Sequence, residues 1–264
     1  MTFWCITGID SDKWVDNTRD NFKRASVGLD ARLVIVENGP GLGQWGKLQN
    51  NEYLITSEPG CANYINAGLS FVKKHCKPDD WFLKFDSDDY YGNGFMNQHL
   101  YLSNNGAKAL SSSSIFVRTE LDDLWFVDSD TMQGEKLINK VLHGPTLAAR
   151  MDVTVDFPEP PEPWGEDALW IDKMLNNGIE FVSLSLYAFA YCRHSDRNHS
   201  FPIMGDLLRH MYSGAKVYNL GKWNEQIVNG QAQHNYGTEI PFDPYSMVKA
   251  GEQLLDIKMR IKEH

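Results

Sequence analysis

The order of apolar segments in the first 90 residues constrains the fold more than any other feature of this chain. "TFWCITGI" (2–9), "ARLVIVENG" (31–39) and "DDWFLKFD" (79–86) are short, strongly apolar runs of the kind that fill buried strands. Between them, residues 12–27 are polar and helix-compatible. "GCANYINAGLSFVKKHC" (60–76) sets Ala62, Ile65, Leu69, Val72 and Cys76 at helical spacing. Strand, helix, strand, helix, strand implies parallel strands joined by right-handed crossovers. Ligands of such sheets bind beyond the carboxyl ends of the strands. The third run stops at such an end, in Asp86-Ser87-Asp88-Asp89.

The rest of the chain is less regular. "KALSSSSIFVRT" and "LWFVDSD" read as strands, "GEKLINKVLH" as a helix and "GPTLAARMDV" as a strand. "PEPPEPWG" (158–165) is a loop, because its prolines suit neither a helix nor a central strand. "EDALWIDKMLNNG" (166–178) reads as a helix with Ala168, Ile171 and Leu175 on its apolar face and a stop at Gly178. "IEFVSLSLYAFAYC" is strand-like, and a last helix starts at Asp243-Pro244, a cap followed by a first-turn proline. With no internal repeat or linker, residues 1–264 are expected to form a single domain.

Composition narrows the function. Hydrophobic residues make up 42% and charged residues 23%, an ordinary globular balance. The net charge of −10 disfavours binding to polyanions over the whole surface, duplex nucleic acid included. Cys5, Cys61, Cys76 and Cys192 form no C-x-x-C pair, and nothing like a signal peptide precedes Phe3. Reduced thiols in a bacterial, viral or host cytoplasm are therefore expected. No apolar run approaches the roughly 18 residues that a membrane span requires.

Three carboxylates within four residues need a reason. At about 4 Å and an effective dielectric near 20, two like charges repel by roughly 4 kcal/mol. Either the side chains fan into water or a cation sits between them. In an extended chain, residues i and i+2 point the same way, so Asp86 and Asp88 can face one ligand. Their hard oxygen donors suit Mg²⁺ or Mn²⁺. A calcium loop would need an Asp or Asn and then a Gly where Tyr90 and Tyr91 stand. A phosphatase-type nucleophile would usually have a Thr four residues on. Glu166-Asp167 stands where the proline-rich loop enters a helix, which is also an ordinary place for acidic side chains. "YCRHSDRNHSF" (191–201) holds Arg193, His194, Arg197 and His199 within seven residues, a set suited to an anion or a metal-bound phosphate.

One motif is a decoy. "GLGQWGKL" (41–48) matches the spacing of a dinucleotide-binding turn and nearly that of a phosphate loop. Both need a following helix to present its N-terminal amides, and here "LQNNEYLITSEPG" is polar and then strand-like. The phosphate loop also needs Ser or Thr where Leu48 stands.

In order and spacing these segments resemble the family 2 glycosyltransferases of the GT-A fold, over residues 2–201. "LVIVENG" stands where that family often ends a strand in Asp-Asp-Gly-Ser, "GCANYINAGL" is similar to its Gly/Ala/Asn-rich helix start, and "FLKFDSDD" to its metal-binding strand end. "WGEDALWIDKMLNNG" resembles its Glu-Asp motif and "RHSDRNHS" its late histidine segment. Glu37-Asn38 departs from the usual acidic pair, and residues 202–264 match nothing in the pattern.

The resemblance implies an α/β fold with a Rossmann-like mixed sheet, mainly parallel in its N-terminal half and flanked by helices. It divides the chain into a nucleotide-binding half (1–90), an acceptor and catalytic half (91–201) and a C-terminal extension (202–264) that shapes the acceptor side. It implies transfer of a sugar from a nucleoside diphosphate of the UDP type to a glycan or other hydroxyl acceptor. Mn²⁺ or Mg²⁺ would be held by Asp88, Asp86 and His194, with His199 the other histidine available. Thr7, Gly8, Glu37, Asn63, Lys84 and Asp86 would lie near the uridine and ribose, and Arg193 or Arg197 on phosphate oxygens. Asp167 would be the base, with Glu166 in reserve, and one base opposite the leaving group implies inversion. Trp164 or Trp125 could cover a sugar face. A nucleotidyltransferase would want a Gly-rich basic loop where "GIDSDKWVD" (8–16) stands. A non-catalytic carbohydrate-binding or scaffold protein would lose one of Asp88, Asp167 and His194, and all three are present.

Overall fold

The three N-terminal apolar runs lie side by side in the computed structural model, which describes residues 1–38, 48–118, 122–138, 142–160, 165–185, 187–192 and 215–232. β1 (Phe3–Ile9) is flanked in parallel by β2 (Ala31–Asn38) and β4 (Trp81–Lys84), and β3 (Glu52–Ser57) adds in parallel to β2. With β6 (Ala109–Ser111), β9 (Ala148–Arg150) and β10 (Phe181–Ser183) they make a seven-stranded sheet in the order β10-β6-β9-β4-β1-β2-β3. β9 runs antiparallel to both of its neighbours, so the sheet is mixed.

Both faces of this sheet are covered, which is why its strands are apolar almost throughout. Alternation along β1 sends Phe3, Cys5 and Ile9 into one cluster with α1 (Lys13–Ala25) and α3 (Phe95–Asn104). It sends Trp4 and Ile6 into another with α2 (Cys61–Lys73) and α4 (Glu166–Asn176). Each large side chain so buried contributes about 1.5–3 kcal/mol. α2 buries Ala62, Ile65, Leu69 and Val72, as the spacing predicts. All four cysteines are free thiols.

A second sheet of five strands follows the order β12-β8-β7-β11-β5. Its members are β5 (Tyr90–Tyr91), β7 (Ile115–Arg118), β8 (Asp123–Asp128), β11 (Phe189–Cys192) and β12 (Lys216–Lys222). Phe116, Leu124, Phe126 and Ala190 form its own core with α5 (Glu225–Val228). Ile115, Val117, Val127 and Phe189 join it to the cluster under α1 and α3.

Several expectations change here. "KALSSSSIFVRT" is two strands in different sheets, because groups other than a neighbouring strand take up the serines between them: Ser112 Oγ donates to Ser114 O, and Ser112 N donates to Thr146 Oγ1 at 2.9 Å. "IEFVSLSLYAFAYC" likewise splits into β10 and β11, with Ala188 at φ 69° just before the second strand. The described part of "GEKLINKVLH" is not helical. Gly134 N donates to Ser183 O at 2.9 Å and Leu137 N to Phe181 O at 2.9 Å, so this segment covers the otherwise open edge of β10. "GPTLAARMDV" begins as a 3-10 turn (Gly144–Thr146) before β9. α4 buries Glu166, Trp170 and Met174, while Leu175 is 46% exposed and Ala168 also faces solvent. The larger ring decides: Trp170 stacks on Phe157 with centroids 4.8 Å apart and meets Phe82 edge-on at 6.0 Å. The Asp243-Pro244 helix and residues 41–47 lie outside the described residues. No helix among the described residues is long and apolar enough to cross a membrane.

Candidate functional site

β1 and β2 run on together, Ile9 pairing with Glu37, while β4 stops earlier, its last residue Lys84 pairing with Ile6. Beyond Lys84 the chain leaves the sheet, so Asp86–Asp89 is a turn and not the extended segment expected. The alternation survives nonetheless. Asp86 and Asp88 are half-buried, while Ser87 and Asp89 turn inward.

Helix α1 holds this turn by its backbone. Asn17 Nδ2 donates to Ser87 O at 2.7 Å, and Asn21 Nδ2 donates to Asp89 O at 2.7 Å. Asn21 Oδ1 accepts from Tyr91 N at 3.0 Å, and Arg24 Nε donates to Tyr91 O at 2.9 Å. The Tyr91 hydroxyl accepts from Asp86 N at 2.8 Å and donates to Pro145 O at 3.0 Å. Its ring stacks on Phe85 with centroids 3.8 Å apart. Asp89 Oδ1 accepts from Cys192 N at 2.8 Å, which ties the turn to the end of β11. Burial, with Asp88 and Asp86 beside it, pushes the Asp89 carboxyl well above the usual range.

Asp167 enters from the start of α4. Lys84 Nζ donates to its Oδ2 at 2.9 Å and lies 3.4 Å from Asp86 Oδ2. The Lys84 side chain is only 4% exposed. Burial alone would discharge such a lysine, but Asp167 and Asp86 outweigh it and hold the ammonium well above its usual range. Burial pushes the Asp167 carboxyl up to about 6, against the pull of Lys84 and with the help of Glu166 and Asp86. Gly144 presses on the same group: a Cβ there would overlap Asp167 Oδ2. Tyr64 lies across Gly8, where a Cβ would come within 2.6 Å of its ring, and its hydroxyl is 3.5 Å from Asp86 Oδ1. Burial raises the Cys61 thiol to about 12, and the charges of Glu166, Lys84, Asp86 and Asp167 all reach it.

The structure thus brings Lys84, Asp86 and Asp167 into contact, with Glu166, Gly8 and Asp88 close by. The Thr7 side chain is wholly buried and its hydroxyl has no hydrogen-bond partner among the described residues. Glu37 is buried at 8% exposure. Asn63 sits on the first turn of α2 and donates to Pro59 O at 2.8 Å. Trp125 is half-buried in the second sheet, packed against the core cluster. Trp164, Arg193, His194, Arg197 and His199 lie outside the described residues.

Among the described residues, no group of three or more His, Cys, Asp or Glu side chains is arranged to hold a metal ion. Asp86 and Asp88 offer two half-exposed carboxylates on the outer side of the turn. That set fits a hard cation of the Mg²⁺ type, which takes one or two carboxylates and completes its shell with phosphate and water.

Sequence reasoning missed Tyr91, Gly144, Tyr64 and the polar residues of α1. A signal existed for the last: Asn17, Asn21 and Arg24 recur at i, i+4 and i+7, a polar stripe with Asn21 fully buried. Tyr64, Tyr91 and Gly144 carried none beyond their identity.

No protein-family model matches the chain, and no curated protein matches it. Solved structures do. Residues 1–349 of TarS from S. aureus superpose with a TM-score of 0.55 at 19% identity, covering 74% of this chain and 61% of that one. A longer S. aureus TarS structure gives 0.49 at 19% identity over 73% of this chain and 37% of that one. The 2-C-methyl-D-erythritol 4-phosphate cytidylyltransferase IspD of Francisella tularensis gives 0.43 at 12% identity, covering 70% of this chain and 91% of that one. The chain spans about three fifths of the shorter TarS structure. At 19% identity the likeness to the shorter TarS structure speaks for the fold alone: a Rossmann-like α/β sheet of the GT-A type, flanked by helices.

Proposed function

We propose that this chain is a metal-dependent glycosyltransferase that moves a sugar from a nucleoside diphosphate, of the UDP type, to an acceptor hydroxyl with inversion. The observation that carries the reading is the meeting of Asp86 and Asp167 on one buried lysine at the carboxyl ends of the parallel strands. Asp88 and Asp86 would hold Mn²⁺ or Mg²⁺, with His194 as a further ligand. Bound there, the cation would neutralise the charge that develops on the leaving diphosphate. Asp167 takes the proton of the acceptor hydroxyl, a role worth about 10²–10⁴-fold for a positioned carboxylate. Glu166 is the neighbour that keeps Asp167 basic, and Arg193 or Arg197 would hold phosphate oxygens. Residues 1–264 act as one unit in this reading, with 202–264 on the acceptor side.

The test is a thermal-shift and calorimetric screen of UDP-linked hexoses and N-acetylhexosamines with and without Mn²⁺, since a ligand of the native state raises its stability. Metal-dependent binding that disappears in Asp88→Ala is the expected result. A variant that takes up the donor as the parent does would sink the proposal. Absence of both binding and donor hydrolysis in the parent would favour the non-catalytic scaffold. A product that retains the anomeric configuration would remove Asp167 from the base role.

A further inference from the structure

We infer that Lys84 is a positioning residue for Asp167, clamping one carboxylate oxygen from inside the protein, and not a contact for the donor. The inference rests on the reading of Asp167 as the base, and it reassigns a residue that the family resemblance places beside the uridine and ribose.

Three observations carry it. The first is where the ammonium sits. Lys84 is the last residue of the central strand β4, its N–H donates to Leu147 O at 2.8 Å, and its side chain is 4% exposed. A lysine that grips a phosphate or a ribose must present its charge to the ligand, and this one is shielded.

The second is how its donors are used. An ammonium has three N–H groups. Two are directed at carboxylates, Asp167 Oδ2 at 2.9 Å and Asp86 Oδ2 at 3.4 Å. Removing one partner of such a buried pair is costly because the other charge is stranded. The lysine is therefore fixed by the same groups that it fixes.

The third is what lies opposite. Gly144, in the turn before β9, approaches Asp167 Oδ2 so closely that no Cβ fits there. That oxygen is boxed between the Lys84 ammonium and the Gly144 backbone. Oδ1 is buried and makes no hydrogen bond among the described residues, so Lys84 is the one hydrogen-bond donor to this carboxylate there. The clamp thus holds the carboxylate by Oδ2 and stops it turning about its last bond. Orientation of this kind supports catalysis because misplacement by about 1 Å can cost 10²-fold.

The test uses the full-length chain and Lys84→Met, which keeps the apolar stem and removes the charge. Affinity is read by calorimetry with UDP and Mn²⁺, and turnover by hydrolysis of UDP-glucose and UDP-N-acetylglucosamine at saturating concentration. The expected outcome is a Kd within about 3-fold of the parent and a kcat lowered by about 10²-fold, as loss of a positioned base would give. A Kd weakened tenfold or more with kcat unchanged would mean that Lys84 holds the donor, and would overturn the inference while leaving the proposed function intact. A parent that neither binds UDP with Mn²⁺ nor hydrolyses either donor overturns both. If Lys84→Met does not fold, Gly144→Ala decides, because it displaces Asp167 Oδ2 from the other side and leaves Lys84 in place. The same split, kcat down and Kd unchanged, is expected, and parental kcat in that variant overturns the inference.

Discussion

The two acidic elements that meet at Lys84 are built differently. The Asp86–Asp89 turn is secured through its backbone. Asn17, Asn21, Arg24 and Tyr91 take up its carbonyls and amides, and its apolar base is Phe85 stacked on Tyr91. The Asp167 carboxylate is secured through its side chain, by one buried lysine and one closely approaching glycine. Backbone anchoring leaves the carboxylates of Asp86 and Asp88 at the rim while the chain beneath them is rigid. Side-chain anchoring fixes a carboxylate's direction at the cost of placing a charge indoors. The first arrangement suits a group that must receive a bulky, charged ligand. The second suits a group that must point one oxygen at one bond.

Experiments can break this contrast at either end. The largest effect is expected from Asp167→Asn. Donor hydrolysis should fall by about 10²–10⁴-fold, the contribution of a positioned base, while urea unfolding should register only a modest loss, because an amide oxygen still accepts from Lys84 and Asp86 still offsets its charge. A comparable loss of stability would show the two elements to be equally structural. Next comes Asn21→Ala. It leaves the buried Tyr91 N–H and Asp89 carbonyl short of partners, at about 1–3 kcal/mol for each unsatisfied group, and urea unfolding should register a total of about 2–6 kcal/mol. The pH dependence should sharpen the difference further. With the Asp167 carboxyl raised to about 6, turnover should be full above that pH and decline below it as the base takes up its proton. The sign for stability is opposite. A carboxyl raised in the folded state favours folding below its ordinary range near 4, and that contribution is lost as pH rises through about 6. A turnover profile flat from pH 5 to 8 would count against Asp167. The smallest effect is expected from Tyr91→Phe, which removes the hydroxyl between Asp86 N and Pro145 O and should cost about 1 kcal/mol of stability by the same unfolding assay.

What could be read in advance follows the range of the interactions. The parallel core was visible because β1, β2 and β4 are buried on both faces, and that burial writes itself into consecutive residues such as Leu33, Val34, Ile35 and Val36. The acidic tip was visible for the same reason, as an abrupt end to such a run. α4 was visible as a helix but not in its orientation, since Trp170 finds Phe157 and Phe82 only in three dimensions. The second sheet was legible only in pieces. Its strands come from segments as far apart as Tyr90–Tyr91 and Lys216–Lys222, and local pattern does not say which strand joins which sheet. In the candidate site, Asp86 and Asp167 stood out as residues. The lysine contact between segments 83 positions apart did not, because a buried lysine in a strand reads locally as an exception and not as a partner.

One topological detail bears on how the protein is made. The central strand β4 closes on its second side against β9, whose residues follow 148 onward in the chain. A ribosome adding about 5–20 residues per second needs several seconds to go from Lys84 to Arg150. During that interval the β4 edge has no native neighbour, and a strand edge of "WFLK" is an inviting template for another nascent chain. Synthesis of this protein should therefore benefit from slow growth temperature or chaperone supply, and fragments that stop short of β9 should be recovered as aggregates.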